Sequence, residues 1–186
     1  MGTALDLNVD AGEGFGPWSF EDEAGLFASV TSVNVACGFH AGDPRVMDRT
    51  VARAVAAGAA IGAHPGYWDL RGFGRREMAV DPEEVETDVL YQVGALAAFA
   101  RSHGAALVHV KPHGALYNQA AVEPALARAI ARGVARVSRS LVLVGAAGSE
   151  AMRLSLAMRT ARAAASAESV ITAPGCPRGT RVPSLS

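Results

Sequence analysis

Short, nearly unbroken apolar runs alternate along this chain with longer segments in which apolar residues recur every three or four positions. The runs fall at residues 4–8, 32–36, 59–63, 106–110 and 141–144. Runs of this length without polar alternation suit strands covered on both faces, as in a parallel sheet. The segments between them read as helices. One opens at Asp43-Pro44, a side-chain acceptor for free amides followed by a residue whose fixed φ suits the first turn. Val46, Met47, Thr50, Val51, Ala54 and Val55 form its apolar stripe, and Gly58 can close it in the left-handed conformation. Asp81-Pro82 repeats the device, with Glu84 completing a capping-box-like pair and Gly104 at the end. Val85, Val89, Val93, Leu96, Ala97 and Ala100 give that helix its buried face. Further helices are expected over residues 124–137 and from Ser149. Strand-helix alternation predicts an α/β protein with a parallel sheet and right-handed crossovers.

Four polar clusters stand at the ends of these runs. They are residues 8–16 (Asn-Val-Asp-Ala-Gly-Glu-Gly-Phe-Gly), 34–43, 62–67 and 109–114. In (β/α) barrels the active site sits at the C-terminal face of the strands, on loops of this kind. Four clusters reaching one rim argue for a single site built from four loops.

Composition narrows the function classes. The 186 residues fit one domain, and half of them are hydrophobic. Net charge is −1, and Lys111 is the only lysine, so the basic footprint of a nucleic-acid binder is missing. No apolar run reaches the roughly 18 residues of a membrane span. No basic segment precedes an apolar signal region at the N-terminus, and Cys37 and Cys176 show no metal spacing. A reduced, cytoplasmic setting is the expectation. Residues 151–186 differ from the rest, with five Arg, one Glu and no aromatic residue. The expected division is a barrel domain over 1–158 and an atypical tail over 159–186. A closed barrel takes about 250 residues, so the barrel is expected to be incomplete at its C-terminus.

Asp10 and Glu13 lie in a glycine-rich turn, where paired carboxylates can divide acid and base work or hold a metal. A turn cap and a solvated side chain are the bland alternative, which the position at a strand end disfavours. His40, His64 and His113 follow three successive strands. Asp10 with His64 and His113 would make a carboxylate-imidazole site for a divalent metal; a metal-free hydrogen-bonding pocket is the equal alternative. Lys111 can act as base or nucleophile, pair with Asp10 or Glu13, or hold an anionic substrate. His109 alternates inward with its strand and reads as core, and His103 as a surface residue near a helix end. Arg71, Arg75 and Arg76 offer forks for carboxylates, with an exposed charged loop preferred for Arg76. Cys37 reads as a small buried residue. The catalytic candidates are therefore Asp10, Glu13, His64 and Lys111. Asn8, Asn34, His40, Arg75 and His113 are the candidates for holding substrate.

These clusters occur in a recognisable order. Residues 6–16, 34–44, 62–67, 72–76 and 110–118 together resemble the LamB/YcsF family, the A subunits of prokaryotic 5-oxoprolinase, over about residues 4–158. The resemblance implies a glycoside hydrolase/deacetylase-type (β/α) barrel and ATP-dependent opening of the 5-oxoproline lactam to glutamate. It also implies partner subunits B and C. Metal-dependent deacetylases of that superfamily use an Asp after the first strand and later histidines, to which Asp10, His64 and His113 could correspond. No Walker A sequence is present, so ATP is expected to use an unfamiliar loop or a site shared with partner subunits. Family members continue with further strands and helices, whereas from Thr160 this sequence departs as if truncated or read in a shifted frame. Two other functions stay open: a metal-dependent deacetylase or amide hydrolase acting alone, and an inactive fragment that only binds partner subunits.

Overall fold

The computed structural model describes residues 6–18, 23–150 and 153. Five strands form one sheet in the order β1-β2-β3-β4-β5, every neighbouring pair parallel. They are β1 (Asn8–Ala11), β2 (Ser32–Ala36), β3 (Ala60–His64), β4 (Leu107–Val110) and β5 (Val142–Leu143). Sequential order in an all-parallel sheet is the arrangement of a TIM-like (β/α) barrel wall. Helices α1 (Glu23–Phe27), α2 (Pro44–Ala56), α3 (Pro82–Ser102), α4 (Gly114–Val122) and α5 (Pro124–Val137) fill the connections.

The expected caps form. Asp43 Oδ1 accepts from the amides of Arg45 and Val46 at 2.8 and 2.9 Å, with Pro44 opening the helix. Its other oxygen accepts from Gly16 N–H at 2.8 Å, which ties the first polar loop to the start of α2. Asp81 caps α3 through Glu83 N–H at 2.7 Å; the reciprocal Glu84 bond of a capping box is not among the hydrogen bonds of the described residues. Gly58 and Gly104 take φ of +72° and +74° and end α2 and α3, where a side chain would be strained.

The core lies between the sheet and α2, α3 and α5, with Val33, Val35, Val51, Val89, Val93, Leu96, Val110 and Ile130 sealed from solvent. Helices α3 and α5 meet closely at Gly133. A Cβ there would lie 2.6 Å from the Glu86 carbonyl oxygen.

The structure corrects the sequence reading at several places. Strand β1 begins at Asn8, later than expected, so Asn8 and Asp10 sit within the strand. Strand β5 is shorter than residues 141–144. Helix α4 was not expected: its nine residues mix small and polar side chains without a sustained apolar stripe, so periodicity could not mark it. Helix α1 was likewise unforeseen. The helix expected from Ser149 lies almost wholly outside the described residues, as does the tail over 159–186. Among the described residues no helix is long and apolar enough to cross a membrane.

Candidate active site

Strand register decides which polar side chains share the inner face. Asp10 pairs with Asn34, Asn34 with Gly62, and Gly62 with His109, giving one row across four strands. Side chains two residues apart point the same way, so Asn8 and Ser32 lie one layer below and His64 one layer above.

The middle layer is a directed hydrogen-bond chain. Asn34 is fully buried, and its amide nitrogen donates to Asp10 Oδ1 at 2.6 Å and to Asn8 Oδ1. A carboxylate only accepts, so the amide orientation is fixed. Asn34 Oδ1 must then accept, from Asn8 Nδ2 at 3.2 Å and from His109 Nε2 at 2.6 Å. His109 therefore carries its hydrogen on Nε2. Burial pushes its imidazole down to about 4, which keeps it neutral. Asn8 donates a second bond to Ser32 Oγ at 2.8 Å. Asn8 and Asn34 thus serve as struts for Asp10 beneath the site.

Asp10 reaches the surface of the site. Its Oδ1 also accepts from Lys111 Nζ at 2.8 Å, and Oδ2 lies 3.4 Å from His64 Nε2. Burial pushes the Asp10 carboxyl up, but the His64 and Lys111 contacts together outweigh it and hold the group well below the usual carboxylate range. Asp10 is an anion at any physiological pH.

Three imidazoles stand above this row. His64 Nδ1 lies 2.6 Å from the Lys111 carbonyl oxygen, and His113 Nε2 lies 2.8 Å from that of Phe73. A carbonyl only accepts, so each of these nitrogens bears a hydrogen. The two remaining nitrogens, His64 Nε2 and His113 Nδ1, face each other at 3.0 Å. Burial first, then the charges of His40 and His64, push the His113 imidazole down to about 4. His40 is buried and stacks on His113 with ring centres 3.8 Å apart and planes 4° from parallel. Burial lowers its pKa as well. Neither His40 nitrogen has a hydrogen-bond partner. Glu13 Oε1 approaches His40 Nε2 at 3.4 Å and His113 Nδ1 at 3.6 Å, charge contacts without hydrogen-bond geometry. The donor atoms of Glu13, His40, His64 and His113 all lie within 4.8 Å of one another. This donor set fits a divalent metal: imidazoles braced by backbone carbonyls, one carboxylate, and a buried ring whose nitrogens make no hydrogen bond. Asp10, paired with Lys111, stands beside this set.

The loop over residues 69–76 supports the imidazoles. Asp69 is buried and accepts from Gly72 N–H at 2.9 Å and from Arg76 Nε at 2.9 Å, with a further bond from Arg76 Nη2. Arg76, read from sequence as an exposed loop charge, is thus a brace for this turn while its side chain stays largely exposed. The brace holds Phe73 at φ +55°, a left-handed conformation that strains a phenylalanine. That conformation presents the Phe73 carbonyl to His113. A Cβ at Gly74 would lie 2.6 Å from His40 Cβ and 2.9 Å from His113 Cδ2, so only glycine leaves the rings room.

Gln92 was missed by the sequence reading. It is fully buried in α3, accepts from Gly66 N–H at 3.0 Å and donates to Gly66 C=O at 3.0 Å. It clamps the loop after His64. A polar residue inside the Val85-Val89-Val93 stripe was the available signal. Burial pushes the Cys37 thiol up to about 12, so it is no nucleophile at neutral pH. His103 sits at the C-cap of α3, 2.7 Å from Asp48.

A cleft of about 230 Å³ opens over Asp10, His64, Lys111 and His113, with Arg75, Tyr117 and Asn118 at its other walls. It is smaller than the roughly 300–1,000 Å³ of drug-sized sites and suits a small polar molecule. Arg75 lies over the Phe73 ring at 5.6 Å and has no ion-pair partner among the described residues. Tyr117 and Asn118, both on α4, belong to the motif that carried the resemblance but had no role assigned to them.

A parallel sheet in sequential strand order, with carboxylate, imidazole and ammonium groups gathered at the C-terminal ends of its strands, defines a barrel-type α/β protein. The LamB/YcsF family model matches residues 5–169, and the chain belongs to that family. A protein from Methylococcus capsulatus, named as the A subunit of 5-oxoprolinase, is 57% identical over 153 residues, covering 82% of this chain and 59% of that protein. One of the same name from Geobacillus kaustophilus is 58% identical, covering 84% of this chain and 62% of that protein. The crystal structure of a lactam utilization protein from Thermus thermophilus superposes with a TM-score of 0.81 at 48% identity, over 83% of this chain and 63% of that one. The chain thus spans about three fifths of the length of the relatives it matches.

Proposed function

We propose that this chain is the lactam-handling part of an ATP-dependent 5-oxoprolinase, which opens 5-oxoproline to glutamate together with partner subunits B and C in the cytoplasm. Family membership and the names of its relatives support the reaction class. The observation that carries it is the meeting of Asp10, His64, Lys111 and His113 in one small cleft.

A five-membered lactam resists water because its amide is stable. Transfer of the ATP γ-phosphoryl group to the carbonyl oxygen makes the ring carbon electrophilic. Water adds there, the C–N bond breaks as nitrogen takes a proton, and a second water releases phosphate from the acyl phosphate. Asp10, an anion 3.4 Å from His64 Nε2, is the proposed support for that imidazole as it takes the first water's proton. Lys111 and Arg75 are placed to neutralise the substrate carboxylate or the transferred phosphate. His64 Nε2, fixed as an acceptor by the Lys111 carbonyl, orients the water. Glu13 stands among the imidazoles and serves them. A metal held by Glu13, His40, His64 and His113 would occupy His64 Nε2, take over its hold on the water, and polarise the carbonyl or acidify a bound water. With no Walker sequence in the chain, the nucleotide site is proposed at the junction with the partner subunits.

The test is glutamate and phosphate release from 5-oxoproline and ATP, with and without candidate B and C subunits. Turnover is expected only with the partners. Full activity of an Asp10→Ala, His64→Ala double variant would reject the proposal. The imidazole cluster favours one second reading, a metal-dependent amide hydrolase acting alone. Chelator-sensitive amide cleavage by the isolated chain would select it.

A further inference from the structure

We infer that Glu13, His40, His64 and His113 form a tetrahedral binding site for a divalent metal of the zinc type, and that Asp10 stands outside its donor set. Zinc bonds of about 2.0–2.1 Å place tetrahedral donors about 3.4 Å apart. The observed separations are 3.0 Å for His64 Nε2 to His113 Nδ1, 3.4 Å for Glu13 to His40 and 3.6 Å for Glu13 to His113. The remaining separations all lie within 4.8 Å, and the His40 ring, stacked 4° from parallel on His113, has to turn for both in-plane lone pairs to reach one ion.

Two independent features point to a cation, and the supports behind two of the rings accord with them. Two lone pairs face each other at 3.0 Å because the opposite nitrogens of both rings are committed to carbonyls. Without something electron-poor near them, that approach is repulsive. His40 is buried with no hydrogen bond at either nitrogen, and its Nε2 meets only the Glu13 carboxylate at 3.4 Å, an arrangement a cation between them would complete. Carbonyl acceptors behind His64 and His113 are the supports that orient metal-binding imidazoles. A proton shared between His64 and His113 would relieve the first feature but leave His40 and Glu13 unexplained.

Asp10 was the carboxylate expected from sequence. Its Oδ1 is engaged by both Lys111 Nζ and Asn34 Nδ2, and an ammonium beside it opposes a second cation. Glu13 has no lysine or arginine partner among the described residues. The family's superfamily analogy and the geometry therefore name different carboxylates.

Binding is read without substrate, so it stands or falls separately from the lactam reaction. The chelator-treated full chain is titrated with Zn²⁺ by calorimetry, and with Co²⁺ by visible absorption for geometry. One equivalent of Zn²⁺ is expected, with tetrahedral Co²⁺ bands and a raised melting temperature. Glu13→Gln keeps the shape and removes the charge. It is expected to weaken Zn²⁺ by more than the roughly 10–100-fold that losing an outer-shell partner costs. Asp10→Asn is expected to change affinity less than tenfold. Metal-free circular dichroism and melting confirm that both variants fold, and His113→Gln, with the same expected loss, replaces Glu13→Gln if that one does not. Absence of stoichiometric binding by the parent chain overturns the inference, as does a greater loss in Asp10→Asn than in Glu13→Gln.

Discussion

Gly62→Ala is a single methyl placed where the structure leaves no room. Gly62 pairs in register with His109 across β3 and β4. A Cβ on Gly62 would lie 2.0 Å from His109 Nε2, 2.3 Å from Cδ2 and 2.4 Å from Cε1. Its φ is not in the left-handed region, so the effect is steric and not conformational. The imidazole has to leave its position, and its bond to Asn34 at 2.6 Å goes with it. Overpacking of a dense core costs about 1–3 kcal/mol. A buried ring N–H left without a partner costs about 1–3 kcal/mol more. The expected loss is therefore roughly 2–5 kcal/mol, taking the two terms as overlapping. Urea denaturation of the full chain reads it as a lower midpoint at unchanged slope. Adding His109→Ala removes the obstructing ring, so the double variant is expected to be more stable than the sum of the two single losses by at least about 1 kcal/mol. The same cycle reaches the site, because Asn34 holds Asp10 at 2.6 Å. Parent-like stability of Gly62→Ala, or strict additivity in the double variant, would refute the packed polar layer.

Two other outcomes follow from buried groups. Gln92→Leu leaves the Gly66 N–H and C=O without their partner, and each unpaired group costs about 1–3 kcal/mol; native-state hydrogen exchange should show the segment around Gly66 opening before the rest of the sheet. The His109 and His113 imidazoles, pushed from 6.5 down to about 4 chiefly by burial, set a pH dependence. Between pH 6.5 and 4 the unfolded chain binds more protons than the folded one, so stability of the metal-free protein is full above pH 6.5 and falls as pH drops through that window. Asp10 adds a separate loss only at lower pH, because its folded value lies below the ordinary carboxylate range. Denaturation midpoints that stay level from pH 6.5 to 4 would contradict neutral burial of both rings.

Much of this architecture is written locally. Apolar runs without alternation marked the five strands within a few residues, and Asp43, Gly58, Asp81 and Gly104 marked the ends of α2 and α3, because caps and breakers act over a few bonds. The four polar clusters, and the family they resemble, were likewise present in residue order. Helix α4 escaped because its packing comes from neighbours and not from its own periodicity. What tertiary structure alone decided is who faces whom. Asp10 and Lys111 are 101 residues apart in sequence, and His64 and His113 are 49 apart. Spacing along the chain says nothing of their separation in space. Strand register put Asp10 in the row of Asn34 and His109, while the loops carried Glu13, His40 and His113 above it. Which imidazole nitrogen bears its hydrogen depends on a carbonyl from a distant loop, Phe73 for His113 and Lys111 for His64. Hydrogen-bond direction is a property of assembled partners, so the sequence could name side chains that meet in the cleft but not which carboxylate lies among the imidazoles.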